Sequence, residues 1–197
     1  MSAGARELTA SEQALDLYLE DLLWEDGGDG PGEEADRYCT FALSGLAVAV
    51  PAGRVRAESA DAPPPLPPAG PEWLRRGAAG EAELTVVDVA LLALPDDLAP
   101  RAIPLEGRFG RLLLLDDGSW GLALPAPGRE ELIDHGPVCW RGPRGRRPWL
   151  AGTLADRRCV LLDIDSILDL VKAATRPPGS EREMDRTTPL DGAREAG

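Results

Sequence analysis

Residues 149–170 read WLAGTLADRRCVLLDIDSILDL, and residues 73–94 read WLRRGAAGEAELTVVDVALLAL. Each stretch opens on Trp-Leu and passes a polar turn containing glycine. Each then runs through apolar, β-branched residues to an aspartate and closes on a short apolar segment of helical character. The likeness continues upstream, where AVAVPAGR at 47–54 and GLALPAPGR at 121–129 each follow a turn-rich pair, Ser44-Gly45 or Gly118-Ser119. Pro51 and Asp88 lie 37 positions apart, and Pro125 and Asp163 lie 38 apart. Features that keep their order at nearly constant spacing mark an internal duplication, with one half at about 38–94 and the other at about 108–170. The expected product is an all-β fold, mainly β with short peripheral helices, in which one small β-unit is built twice.

The chain has 197 residues, 43% of them hydrophobic, enough to bury a core in one compact domain or two small ones. Its net charge of -13 is unevenly placed. Residues 1–36 hold eleven acids against the single base Arg6, while the remaining 161 residues are close to balance. An acidic chain is repelled by nucleic acid and by anionic membranes, so basic protein surfaces suit it better. No basic start is followed by an apolar run and no apolar run reaches membrane-spanning length, so a cytoplasmic protein without direct membrane insertion is expected. Cys39, Cys139 and Cys159 form an odd, widely spaced set without a CxxC, which suits reduced thiols; Cys39 and Cys159 sit in strand-like runs and read as small core residues.

Taken in order, Thr9 and Glu12 form a capping box, and Leu15, Tyr18, Leu19, Leu22 and Leu23 recur at helical spacing, predicting a helix over residues 10–24. Its other face carries Asp16, Glu20 and Asp21, and the acidic, Gly-rich GGDGPGEEAD at 27–36 separates it from the rest. Two readings stay open. The stripe of Leu15, Leu19 and Leu22 either docks on the chain's own core or enters a partner's groove as a tethered amphipathic helix. Residues 1–36 are accordingly read as helix plus flexible linker, 37–175 as the folded domain, and 176–197, which lack any apolar period, as a disordered tail.

Within the domain, YCTFALSGLAVAV at 38–50 predicts a hairpin turning at Ser44-Gly45, with Pro51 ending its second strand. The proline run at 63–68 reads first as a stiff extended loop, with a PxxP ligand as the alternative. A strand at 83–89 leads through Asp88 as a cap into a short helix, 111–115 and 120–124 form a second hairpin, 133–140 reads as a further strand, and 163–174 as the last helix.

Candidate chemistry is sparse. LLDIDSI at 161–167 has the Asp-x-Asp of the haloacid-dehalogenase phosphatases, where the first aspartate attacks phosphorus. Only 34 residues follow Asp163, too few to supply the rest of that fold, so the aspartates read as helix caps. The single histidine, His135, lies four residues before Cys139 without a second ligand pair, so no metal site is expected. With no GxSxG elbow and no glycine-rich phosphate loop, neither catalytic residues nor a cofactor are expected. WRGPRGRRPW at 140–149 sets four arginines between two tryptophans; on an acidic chain it reads as a solvated loop with anchoring tryptophans, ahead of an acidic protein contact or a nucleic-acid groove.

The order YCTFALSGLAVAVPAGRV, PxW, TVVDVALL, RLLLLDDGSWGLAL and WLAGTLADRRCVLLDIDSIL resembles the CheW-like coupling domain of bacterial chemotaxis over residues 38–170. The resemblance implies two intertwined five-stranded SH3-like barrels. It also implies a non-enzymatic adaptor between chemoreceptor cytoplasmic tips and the regulatory domain of a chemotaxis-type histidine kinase, at receptor arrays, with other CheW-like proteins as further partners. On the same footing Arg54, Val55 and Arg56 match the segment that faces receptors in relatives. Trp73 and Arg76 flank the place where relatives carry an Asn-x-Arg-Gly turn. Here that turn is replaced by GAAGEA at 77–82, one residue shorter and without its arginine, so Arg75 or Arg76 can substitute only by proximity. An accessory organiser of the array, binding kinase or polar-positioning proteins without receptor coupling, is the alternative.

Overall fold

A computed structural model describes residues 10–24, 37–59, 67–79, 82–94, 105–125, 128–133, 138–141 and 146–176. The proline run up to residue 66, Gly80, Glu81, His135, Arg144, the linker and the tail lie outside them, as do the side chains of Leu15 and Leu19.

The first hairpin joins β1 (Arg37–Leu43) to β2 (Leu46–Pro51) with Leu43 opposite Leu46. Its two-residue turn has φ of 47° at Ser44 and 82° at Gly45, the left-handed pair whose twist matches that of the flanking strands. The second hairpin joins β6 (Arg111–Leu115) to β7 (Trp120–Leu124) through four residues. There the Asp117 carboxylate accepts from the Ser119 amide at 2.8 Å and hydroxyl at 2.7 Å, closing the turn on itself.

Each of the two Trp-Leu stretches forms an antiparallel pair that leads into a helix. In the first half β4 (Leu74–Ala79) pairs with β5 (Ala82–Asp88), which enters α2 (Val89–Ala93). In the second, beyond the short helix α3 (Leu105–Arg108), β10 (Leu150–Leu154) pairs with β11 (Cys159–Leu162), which enters α4 (Ile164–Thr175). The same backbone bond ties both: Asp88 donates to the Trp73 carbonyl at 2.8 Å, and Asp163 to that of Trp149 at 2.9 Å. The two aspartates then cap the helices, accepting from Leu91 N at 3.2 Å and Ser166 N at 2.9 Å.

The halves exchange their hairpins. β11 of the second half runs parallel to β2 of the first, with Val160 opposite Val48, while β5 of the first runs parallel to β7 of the second, with Val87 opposite Leu122. Among the described residues this gives two mixed sheets. One has six strands ordered β8-β1-β2-β11-β10-β9, and the other five, ordered β3-β6-β7-β5-β4, with β3 at Val55–Ser59, β8 at Arg129–Leu132 and β9 at Cys139–Trp140. β2 and β7 therefore each sit between an antiparallel and a parallel neighbour, and their side chains are buried on both faces, which is why both read as unbroken apolar runs. Gly121 in β7 lacks a side chain for a reason: a Cβ there would stand 2.4 Å from the Leu113 carbonyl oxygen.

One core is shared by both sheets, taking Phe41, Val48 and Val50 from the first and Leu113, Trp120 and Leu122 from the second. Ile164, Ile167 and Val171, one face of α4, close over it, together with Trp149 and Leu162. Separate clusters cover the other face of each sheet, around Leu154, Cys159 and Leu161 in one and Leu84, Phe109 and Leu112 in the other. The duplicated, mainly β architecture agrees with the sequence reading. The strand expected over 133–140 does not: Cys139–Trp140 is β9, residues 134–137 lie outside the described set, and the preceding strand is Arg129–Leu132. REEL has no apolar alternation because β8 is an edge, held to β1 by backbone pairing with its side chains largely in water.

Candidate functional site

The segment Arg54-Val55-Arg56 leaves β2 through a single 3-10 turn, Ala52–Arg54, and opens β3, an edge strand of the five-stranded sheet. Arg54 is turned inward along the surface. Its Nε and Nη2 grip both Asp116 carboxylate oxygens, at 2.7 and 3.1 Å, and Nη2 also reaches Asp165 at 2.9 Å. One guanidinium thus pins the turn of the second hairpin and the first turn of α4 to the end of the first hairpin. The Arg54 bond holds the Asp116 carboxyl below the usual aspartate range, and Trp120 Nε1 adds a further donor at 3.3 Å. Asp116 and Asp165 in turn raise the Arg54 guanidinium further above neutrality.

Val55 packs against the shared core, and the β3–β6 register shifts between Val55 and Ala57. That bulge turns Arg56 outward, where its Nη1 donates to the Asp117 carbonyl at 2.5 Å. Arg56, Ala57 and Glu58 are exposed, so this edge offers a protein partner a strand flanked by one basic and one acidic side chain. Trp73 is half-buried against the core, at the turn before β4. Arg76 is exposed and pairs with Glu83 at 3.1 Å, while the neighbouring Arg75 Nε is buried without an acceptor. Trp73 and Arg76 therefore lie at the β4–β5 edge of the same sheet as Arg54, Val55 and Arg56, at its opposite end. The replaced turn itself, at Gly80 and Glu81, lies outside the described residues.

The helix predicted over 10–24 is present as α1 (Ala10–Trp24), and it docks on the chain's own body. Leu22 is fully buried in the shared core, so it cannot meet a partner while α1 is docked. Tyr18 donates its hydroxyl to the Ala93 carbonyl at 2.6 Å. Asp16 pairs with Arg158 at 2.7 Å and Asp21 with Arg147 at 2.9 Å, while the Arg147 guanidinium lies 5.3 Å from the Tyr18 ring centroid. The arginine loop expected to be solvated is thus partly spent inside the molecule: Arg147 holds α1, and Arg141 is buried with Nη2 donating to the Leu22 carbonyl at 3.0 Å. The signal for this was available in the opposite charges of α1 and the 140–149 loop, which are distant in sequence but complementary.

The carboxylates considered for phosphoryl chemistry are engaged locally. Asp163 gives one oxygen to the Ser166 amide and the other to the Ser166 hydroxyl at 2.8 Å, and Asp165 is taken by Arg54. Cys159 is buried and its thiol is pushed up to about 11 by desolvation; Cys39 is half-buried and Cys139 exposed. Among the described residues no group of His, Cys, Asp and Glu is arranged to hold a metal ion. No helix among them is long and apolar enough to cross a membrane.

No family model matches the chain, and no curated protein sequence matches it. Among solved structures, its fold is similar to that of the scaffolding protein TtCheW from Thermoanaerobacter tengcongensis, at 15% sequence identity and a TM-score of 0.49, over 66% of this chain and 84% of that one.

Proposed function

We propose that this chain is a non-enzymatic CheW-like adaptor, a cytoplasmic scaffold of chemotaxis arrays that binds the regulatory domain of a chemotaxis-type histidine kinase. The observation that carries the reading is the reciprocal exchange of hairpins, β2 beside β11 and β7 beside β5, which is the intertwined arrangement implied by the sequence resemblance. Exposed strand edges suit such a role, since a partner domain can add to β3 by backbone pairing and be selected by Arg56 and Glu58.

A second reading, an accessory organiser that binds kinase but couples receptors weakly, is favoured by two features. The arginine of the usual turn is missing from GAAGEA at 77–82, and Arg54 is already committed to Asp116 and Asp165. Titrating the full chain against a kinase regulatory domain, a receptor-tip fragment and single-stranded DNA separates these readings. Binding to both proteins supports the coupling adaptor, and kinase binding with weak receptor binding supports the organiser. Binding to neither protein, with salt-sensitive DNA binding lost on Arg146→Ala, overturns both.

A further inference from the structure

The anchors of α1 fall on well-separated parts of the domain. The Tyr18 hydroxyl meets the Ala93 carbonyl at the end of α2, and the Leu22 carbonyl accepts from Arg141 Nη2 just after β9. Asp21 pairs with Arg147, which precedes β10, and Asp16 with Arg158, which follows it. Arg158 has a left-handed backbone, φ 47° and ψ 47°, which residues other than glycine, asparagine and aspartate seldom adopt. An arginine there carries a local backbone cost, and the contact it gains is the pair with Asp16.

None of these anchors lies on β1 or on residues 25–36, through which α1 is attached, so the seat recognises the helix and not its connection. Residues 25–36 hold six acids, four glycines and no base or large apolar residue. Twelve residues extend to about 40 Å at most, enough to bridge two copies, and like charges along a linker favour its extended form. A helix of 15 residues is marginal in water on its own, so α1 keeps its form on a seat and not between seats. The acidic helix and the basic rim belong to one sequence, so a second copy brings a helix that fits.

We propose that α1 is exchanged between copies of this chain: the α1 of one copy occupies the seat of another, which places its own in return. Such a pair is isologous and keeps the buried Leu22 and both ion pairs at each seat, so the closed and exchanged forms differ mainly in the path of the linker. A tether of this length holds the chain's own helix at an effective concentration in the mM range, so exchanged pairs accumulate where copies are crowded to about that density. Exchange uses α1 and its seat rather than β3, so it stands or falls separately from the adaptor reading.

The test reverses charge on each side separately. One full chain carries Asp16→Arg and Asp21→Arg, and another carries Arg147→Asp and Arg158→Asp, aspartate being tolerated in the left-handed backbone at 158. Neither chain matches its own seat, but in a mixture each helix meets a seat of opposite charge. Sedimentation velocity should then show a one-to-one pair roughly tenfold or more tighter than either chain forms alone. A single chain with all four changes is matched within itself and should sediment as the unaltered chain does. A mixture no more associated than its components overturns the proposal. So does a pair that survives Leu22→Asp in both chains, since its contact would lie elsewhere. If a charge-reversed chain fails to fold, isotope-filtered NMR of labelled and unlabelled unaltered chains, mixed at about 1 mM, decides. Contacts between the Leu22 methyls of one chain and core methyls of another support the exchange, and their absence overturns it.

Discussion

Arg108 donates from Nε to the Asp88 carboxylate at 3.0 Å, with the two side chains 8% and 0% exposed. The bond ties the segment joining the two halves to the end of β5, on the carboxylate that also caps α2. Breaking a buried pair from one side leaves an uncompensated charge, so Arg108→Ala should cost about 3–5 kcal/mol, whereas removing both charges with Asp88→Asn and Arg108→Leu should recover much of the loss. Asp163, its counterpart in the second half, is a cap with no guanidinium partner among the described residues, and Asp163→Asn should cost about 1 kcal/mol or less. Urea denaturation of the four proteins checks this. Equal losses for Arg108→Ala and Asp163→Asn would show that the buried pair carries no special weight.

Leu162 ends β11 at 2% exposure within the core shared by both sheets, while Leu132 on β8 is 68% exposed. Truncating Leu162 to alanine should cost about 2–5 kcal/mol through lost burial and the space left behind. The same change at Leu132 should stay within about 0.5 kcal/mol, as for surface sites generally. Thermal and chemical denaturation of both variants would reject the shared core if their losses were alike.

The parts of this molecule that could be read from sequence are those whose physics is local or repeated. The hairpin at Ser44-Gly45, the caps at Asp88 and Asp163 and the bounds of α1 and α4 follow from turn chemistry, capping and periodicity within a few residues. The duplication was legible because two stretches kept one spacing. β8 was not, since REEL is a strand only by virtue of pairing with β1, some ninety residues away in the chain. The contacts of Arg54 were equally hidden: nothing in AGRV names Asp116 and Asp165 as its acceptors. Burial of Arg141 and Leu22 depends on α1 meeting the second half of the domain, a long-range choice that its stripe alone left open.

Stability should fall in acid with a slope set partly by Asp116. Its folded carboxyl lies below the ordinary aspartate value because Arg54 binds the charged form first and foremost, so its contribution is present above the unfolded pKa and is lost as pH falls through the lowered folded one. Between about pH 5 and the acid limit, Arg54→Met should therefore flatten the decline in melting temperature relative to the unaltered chain. The residues are partly exposed, so the difference should be modest and should shrink in salt. Parallel melting curves at each pH would show that the Arg54 clamp does not bias Asp116.

Among the described side chains, docking of α1 combines a buried leucine with two exposed ion pairs, and their magnitudes differ. Leu22 is fully enclosed, so Leu22→Ala should cost about 2–5 kcal/mol if the helix is docked in solution. The Asp16–Arg158 and Asp21–Arg147 pairs each have a partly exposed member and should contribute about 1 kcal/mol or less apiece, screened by salt. Asp16→Asn with Asp21→Asn should thus lower the melting temperature less than Leu22→Ala, and only at low ionic strength. A Leu22→Ala variant as stable as the parent would mean that α1 spends its time undocked, leaving Leu15, Leu19 and Leu22 free as a stripe for another protein. A clear loss means that any such capture must first pull Leu22 out of the core, which weakens partner binding by the same free energy that docking supplies.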